Sequence, residues 1–176
     1  MKKYLLIILC TLLLTTECKL FDSGIHGVSI DKIREAREIV SQQNSEAHII
    51  SAAGRRENDE FMSDPEMTEV FEFMAAAYNP IGFTYNAWEL VYEDKEWSIS
   101  SIVTVPLEID ASIDLEDIEM DVCDAWDKIT EANSVDSFYN WSLFKPYGET
   151  HDESPFFRFE TAVGAISVHP STSTGH

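Results

Sequence analysis

Basic residues are scarce in this chain: 12 Lys and Arg stand against 32 Asp and Glu in 176 residues, a formal net charge of -20. A polyanion is repelled by such a chain, which excludes nucleic acid as a partner. An anionic membrane surface is disfavoured on the same ground. Cysteine is equally sparse, and three residues cannot build a disulfide scaffold. Glycine is rare, with none between Gly82 and Gly148. The acidic middle of the chain therefore lacks the glycine that a calcium-binding loop requires, and a phosphate-cradling loop is disfavoured. Gly-x-Ser-x-Gly, His-Glu-x-x-His and Cys-x-x-Cys are all missing. These absences predict a protein that is not an enzyme, with no catalytic residues, no metal site and no cofactor. What is present suffices for folding: 44% of the residues are hydrophobic and 11% aromatic, enough to build a core in one domain or two small ones.

Long apolar runs are also missing, except at the start. Lys2 and Lys3 precede an apolar run from Tyr4 to Leu14, interrupted only by Thr11. This is the layout of a signal peptide over residues 1–18, and the run is too short to span a bilayer. Two readings of its end stay open. Cys18 follows Thr15-Thr16-Glu17 where a lipoprotein signal carries its lipidated cysteine, although Glu17 replaces the usual small residue. Ordinary cleavage after Cys18 is the other reading. Either way the expected location is secreted or cell envelope, periplasmic or extracellular. In the first case Cys18 is a lipid anchor, and no transmembrane span remains in the mature chain. The mature chain keeps Cys123 as its one cysteine and stays strongly acidic, which favours cationic partners.

Residues 19–28 read as a linker. A helix is expected from Ser29 as N-cap, with Ile30, Ile33, Ala36, Ile39 and Val40 on its apolar face and Gln42-Gln43-Asn44 at its end. A short strand follows at 47–52. Ser63 or Asp64, then Pro65 and Glu66, punctuate a second helix, with Met67, Val70, Phe71, Met74 and Ala75 on one face and Asn79-Pro80 as its stop. Alternating Trp88, Leu90 and Tyr92 predict a hairpin over 83–105, turning at Glu93-Asp94-Lys95-Glu96 and closed by Pro106. Nine acids and no base lie between Glu108 and Asp127. Within that stretch Leu115, Ile118, Val122, Ala125, Trp126 and Ile129 repeat at helical spacing behind Asp114 as cap. The acidic face is either solvated or a site for cations or a basic partner. Three strands close the chain: Phe138–Phe144, Phe156–Thr161 and Ala165–Val168.

Three local features bear on chemistry. His151-Asp152-Glu153 groups metal-ligand types but has no second His at a binding interval. Cys123 falls on the amphipathic helix, so burial is expected rather than reactivity. Asn140-Trp141-Ser142 fits a glycosylation acceptor within a strand.

The end of the chain runs helix 121–132, an aromatic strand, Pro155-Phe156-Phe157-Arg158-Phe159, then Ile166-Ser167-Val168-His169 ahead of Thr174-Gly175. This resembles the PepSY domain and PepSY-like secreted proteins, in which a helix is followed by strands, the aromatic strand is often opened by Pro, and the last strand ends in Val-Asp-Ala-x-Thr-Gly. His169 stands where that family has Asp. The resemblance implies an α+β fold, with helices packed on antiparallel sheet. It also implies two divergent helix-plus-hairpin units: 29–106, whose helix 30–42 and hairpin 86–105 match helix 115–131 and hairpin 156–168, and the PepSY-like unit 107–176. PepSY units regulate or inhibit peptidases and carry no catalytic residues. The function expected from the resemblance is therefore noncatalytic protein binding, with a peptidase as the partner class. Tyr139, Trp141, Phe156 and Phe157 are its expected interaction surface. The alternative is an envelope cation or small-ligand binder using the acidic 108–127 segment.

Overall fold

A computed structural model describes residues 27–82, 84–105, 112–115, 118–145 and 155–169, with 101–105 as backbone. Residues 1–26, which hold the expected signal peptide with Cys10 and Cys18 and most of the expected linker, lie outside the described residues, as do His151-Asp152-Glu153 and Thr174-Gly175. The elements are helix α1 (Val28–Gln43), strand β1 (His48–Arg55), a 3-10 turn (Pro65–Met67), β2 (Val70–Asn79), β3 (Thr84–Glu93), β4 (Glu96–Val105), α2 (Val122–Ala132), β5 (Asn140–Phe144), β6 (Phe156–Thr161) and β7 (Gly164–Val168). The fold is α+β. All seven strands form one antiparallel sheet in the order β4-β3-β2-β1-β5-β6-β7.

The first helix buries Ile30, Ile33, Ala36 and Val40, as the spacing predicts. Its start differs. Ser29 lies inside the helix, and Gly27 holds the cap position without any side-chain bond. The N-terminal N–H groups of Ser29 and Ile30 instead donate to Asp121, which belongs to the start of α2.

The second expected helix is a correction. Its punctuation is real but serves one turn only: Asp64 Oδ1 accepts the Glu66 N–H at 2.9 Å and Pro65 takes the first helical position. From Val70 the chain is a strand, paired on one side with β1 and on the other with β3. Phe71, Phe73, Ala75 and Ala77 join the core beneath the helices, while Val70 and Ala76 are buried at the intervening positions. A strand with buried apolar residues in both sets of positions can also satisfy a helical count, so periodicity does not separate the two. Sheet pairing on both flanks settled the choice.

The start of α2 is also corrected. Asp114 does not cap it. Ile113 is drawn into a bridge with Ile49, its N–H donating to the Ile49 carbonyl at 2.8 Å. The helix begins seven residues later, behind a capping box in which Asp121 accepts the Cys123 N–H and Asp124 accepts the Asp121 N–H. The apolar residues ahead of it, Ile113, Ile118 and Met120, are buried nonetheless.

The hairpin of β3 and β4 forms as expected. Asp94 and Lys95 take φ of 52° and 68°, the left-handed pair that a two-residue type I′ turn demands. Phe138 departs from its expected strand. It lies ahead of β5, bridges to Met62 and is fully buried against Trp126 and Phe159.

One core row crosses the sheet: Trp97, Tyr92, Phe71, Gly54, Trp141, Phe159 and Ile166 are successive partners from β4 to β7. Gly54 is its one residue without a side chain, and the Trp141 indole occupies the space above it. The helices are tied down around this row. Lys32 sits over the Tyr92 ring at 3.8 Å and pairs with Glu35, which accepts the Trp97 indole N–H at 3.0 Å.

Each half of the chain is a helix followed by three successive antiparallel strands, α1-β1-β2-β3 and α2-β5-β6-β7, and β1 meets β5 at the seam. By strand position, β2 and β3 hold the places that β6 and β7 hold in the second half. Hairpin 70–93 thus holds the sheet position that hairpin 156–168 holds on the other side of the seam, and β4 lies beyond it at the edge.

Candidate functional site

The Met62–Phe138 bridge sets the most distinctive surface feature. Each of the two residues donates its N–H to the other's carbonyl, at 2.7 and 2.9 Å, and both side chains are fully buried. In extended chain the next side chain points the opposite way. Phe61 and Tyr139 are thereby turned outward together. They are 41% and 39% exposed, with ring centroids 3.8 Å apart. Two large aromatic faces share this stack at the protein surface.

The surroundings are acidic. Asp64 and Glu66 are exposed on the 3-10 turn, and Met67 beside them is 38% exposed. The Trp126 indole N–H donates to the Ser63 carbonyl at 2.9 Å and fastens α2 to this segment. Glu60 is engaged by Arg56 at 2.7 Å. Val163, 80% exposed on the turn between β6 and β7, belongs to the same end of the sheet, because the Tyr139 N–H donates to the Glu160 carbonyl.

The residues expected to form one interaction surface are placed in three locations. Tyr139 is at the surface, stacked on Phe61. Phe156 is half-buried on the face of the sheet away from the helices, in contact with Phe144 and His169. Trp141 and Phe157 are corrections: both are fully buried and belong to the core. Alternation shows which residues share a face but not which face the helices cover. Phe61 carries no signal in the sequence, since its exposure depends on a bridge between residues 76 positions apart.

The acidic segment has structural duties. Asp121 is buried and accepts hydrogen bonds from Ser29 N, Ser29 Oγ, Ile30 N and Cys123 N, while Asp124 closes the capping box. Residues 108–111 and 116–117 of that segment lie outside the described residues. Among the described residues no group of three or more His, Cys, Asp or Glu converges as a metal site.

Cys123 is half-buried on the first turn of α2 and unpaired. Burial first, and then the Asp121 carboxylate, push its thiol up to about 12, with Asp64 and Glu66 adding to the shift. A group held protonated this far above neutrality is a poor nucleophile. Alkylation by iodoacetamide at pH 8 should run on the order of a hundredfold slower than for a free cysteine, with urea restoring the rate. Equal rates with and without urea would contradict this placement. The folded state also resists ionisation of this thiol. Its contribution to stability is full below the ordinary thiol value and is lost as pH rises toward about 12.

No helix among the described residues is long and apolar enough to cross a membrane. Compared with family models, with curated proteins and with solved structures, the chain matches none of them.

Proposed function

We propose that the chain is a noncatalytic secreted or cell-envelope protein that binds another protein, with a peptidase that it inhibits or regulates as the partner class. The observation that carries this reading is the exposed, stacked Phe61–Tyr139 pair, with the exposed acids Asp64 and Glu66 three and five residues after Phe61 in the chain. Exposed aromatic anchors within a polar rim are the usual source of binding energy at protein interfaces. Their acidic surroundings suit a partner segment that bears Lys or Arg.

Two further features support it. Among the described residues β7 pairs only with β6, and its sequence Gly164-Ala165-Ile166-Ser167-Val168 has no charge and no proline to blunt the edge. Such an edge accepts an added strand from a partner. The PepSY-like part of the reading is supported by the order of α2, β5, β6 and β7, with Pro155 directly ahead of the aromatic strand β6.

The test is peptidase protection by residues 19–176. Wild-type protein should slow a secreted peptidase of its host in a dose-dependent way. The double variant F61S/Y139S should require at least about tenfold more protein for the same effect. Unchanged potency of the double variant would move the contact away from the aromatic pair. Absence of protection against every secreted peptidase of the host would remove the peptidase as partner class.

A further inference from the structure

Charge is distributed unevenly along the β2-β3-β4 meander. Charged residues make up 25% of the chain, yet none lies from Phe73 to Trp88 or from Trp97 to Leu107. Strand pairing brings residues 76–79, 84–87 and 103–105 of these stretches side by side at one end of the sheet. The other end of β3 turns into β4 through Glu93, Asp94, Lys95 and Glu96, all charged. The meander is therefore polar at one end and free of charge at the other, within a chain of net charge -20.

The charge-free end carries an apolar tip. Ile81, on the turn between β2 and β3, is 93% exposed. Tyr78 behind it is 42% exposed, and its ring centroid lies 5.4 Å from that of Tyr85. The turn itself is well ordered in its hydrogen bonding. Asn79 Oδ1 accepts the Ile81 N–H at 3.1 Å, as in an Asx turn. Pro80 has no N–H to satisfy, and its ring fixes φ. Asn79 is held in register opposite Thr84. Residues 80 and 81 can therefore leave water without stranding a backbone donor.

These features point to one class of partner. Protein interfaces carry about one hydrogen bond per 100–200 Å², and this tip offers neither charge nor free donors at residues 80 and 81. A bilayer surface suits what the tip has: an apolar side chain for the acyl boundary, tyrosine rings for the headgroup level and satisfied backbone donors. The net charge selects among lipids. Anionic headgroups repel the chain and zwitterionic ones do not.

We propose that this end of the sheet docks on a zwitterionic phospholipid surface, with Ile81 at the acyl boundary and the Tyr78 and Tyr85 rings among the headgroups. Burying one isoleucine is worth about ten- to a hundredfold in partition, so the tip orients the protein at a bilayer rather than anchoring it. The Phe61–Tyr139 pair lies toward the opposite end of β2, where Val70 pairs with Arg55 and Arg55 with Asn140. The two surfaces are independent.

The experiment is flotation of residues 19–176 with phosphatidylcholine vesicles at millimolar lipid and physiological ionic strength, with far-UV circular dichroism to confirm that each variant is folded. Wild-type protein should float with the vesicles. I81D should lower its partition by about tenfold or more. I81W should raise it several-fold, because an indole is favoured at the interface, and brominated phosphatidylcholine should quench the added indole. E131Q, on the exposed side of α2, should float as wild type does. Phosphatidylglycerol vesicles should carry far less protein than phosphatidylcholine vesicles. Equal flotation of wild type and I81D would overturn the proposal, as would equal binding to both lipids or no flotation of wild type. If I81D floats unchanged but loses peptidase protection, the tip is a protein contact and the lipid assignment falls.

Discussion

Asp121→Ala is expected to cost about 3–5 kcal/mol, a large share of the stability of a domain this size. One carboxylate serves two helix starts. Oδ2 accepts from the Ser29 N–H at 3.1 Å, the Ser29 hydroxyl at 2.6 Å and the Ile30 N–H at 3.1 Å, and Oδ1 accepts from the Cys123 N–H at 3.2 Å. Alanine leaves these donors buried without an acceptor and removes negative charge from the positive ends of two helix dipoles. Asp121→Asn keeps one acceptor oxygen but aims an amide N–H₂ at other donors, and should cost about half as much. Ser29→Ala should cost about 1 kcal/mol, since the hydroxyl also accepts the Val122 N–H. Urea unfolding midpoints with unchanged slopes would measure all three. A loss below about 1 kcal/mol for Asp121→Ala would show that the junction contributes no more than an ordinary single cap. The close approach also explains Gly27. A Cβ there would stand 2.3 Å from Asp121 Cγ, so a side chain at Gly27 would push the carboxylate out of its place.

Gly54→Ala is the second large effect, expected at about 3 kcal/mol. An added Cβ would lie 2.4 Å from Cε2 and Nε1 of Trp141. That indole has little freedom to move. It is fully buried, donates from Nε1 to Thr68 Oγ1 at 3.0 Å, and meets Phe71 and Phe157 edge-on. The displaced ring would disturb the row that joins both halves of the sheet. In a Trp141→Leu background the same glycine substitution should be nearly silent, because its obstacle has been removed. A double-mutant cycle should then return a coupling of about 2 kcal/mol. Additive losses would mean that Gly54 is required for some reason other than the indole.

Legibility in the sequence followed the range of the interaction responsible. Helix α1 and the hairpin of β3 and β4 were legible because their signals are local: apolar residues at helical spacing in one, alternation and a polar turn in the other. The two misplaced elements failed for different reasons. At Val70–Asn79 buried apolar residues fall on both strand faces, Val70 and Ala76 on one and Phe71, Phe73, Ala75 and Ala77 on the other, and only the flanking strands tell it from a helix. At Asp114 a good capping residue was available, but Ile113 is held by Ile49, 64 positions earlier. The candidate surface was legible in part. Tyr139 is one of the four aromatics expected at the surface, and it is exposed. Its partner Phe61 is not among them, and the burial of Trp141 and Phe157 is not legible because the face covered by the helices is a tertiary fact.

The shared carboxylate has a consequence for how the molecule comes apart. The first half obtains the cap of its helix from residue 121 and the filling of its glycine gap from residue 141. The second half obtains support for Trp126 from Ser63 and for Phe138 from Met62. Each half is therefore incomplete at the places where the other touches it. Neither can shed its partner without opening its own interior, so the two halves, although alike in element order, are expected to fold and unfold as one cooperative unit.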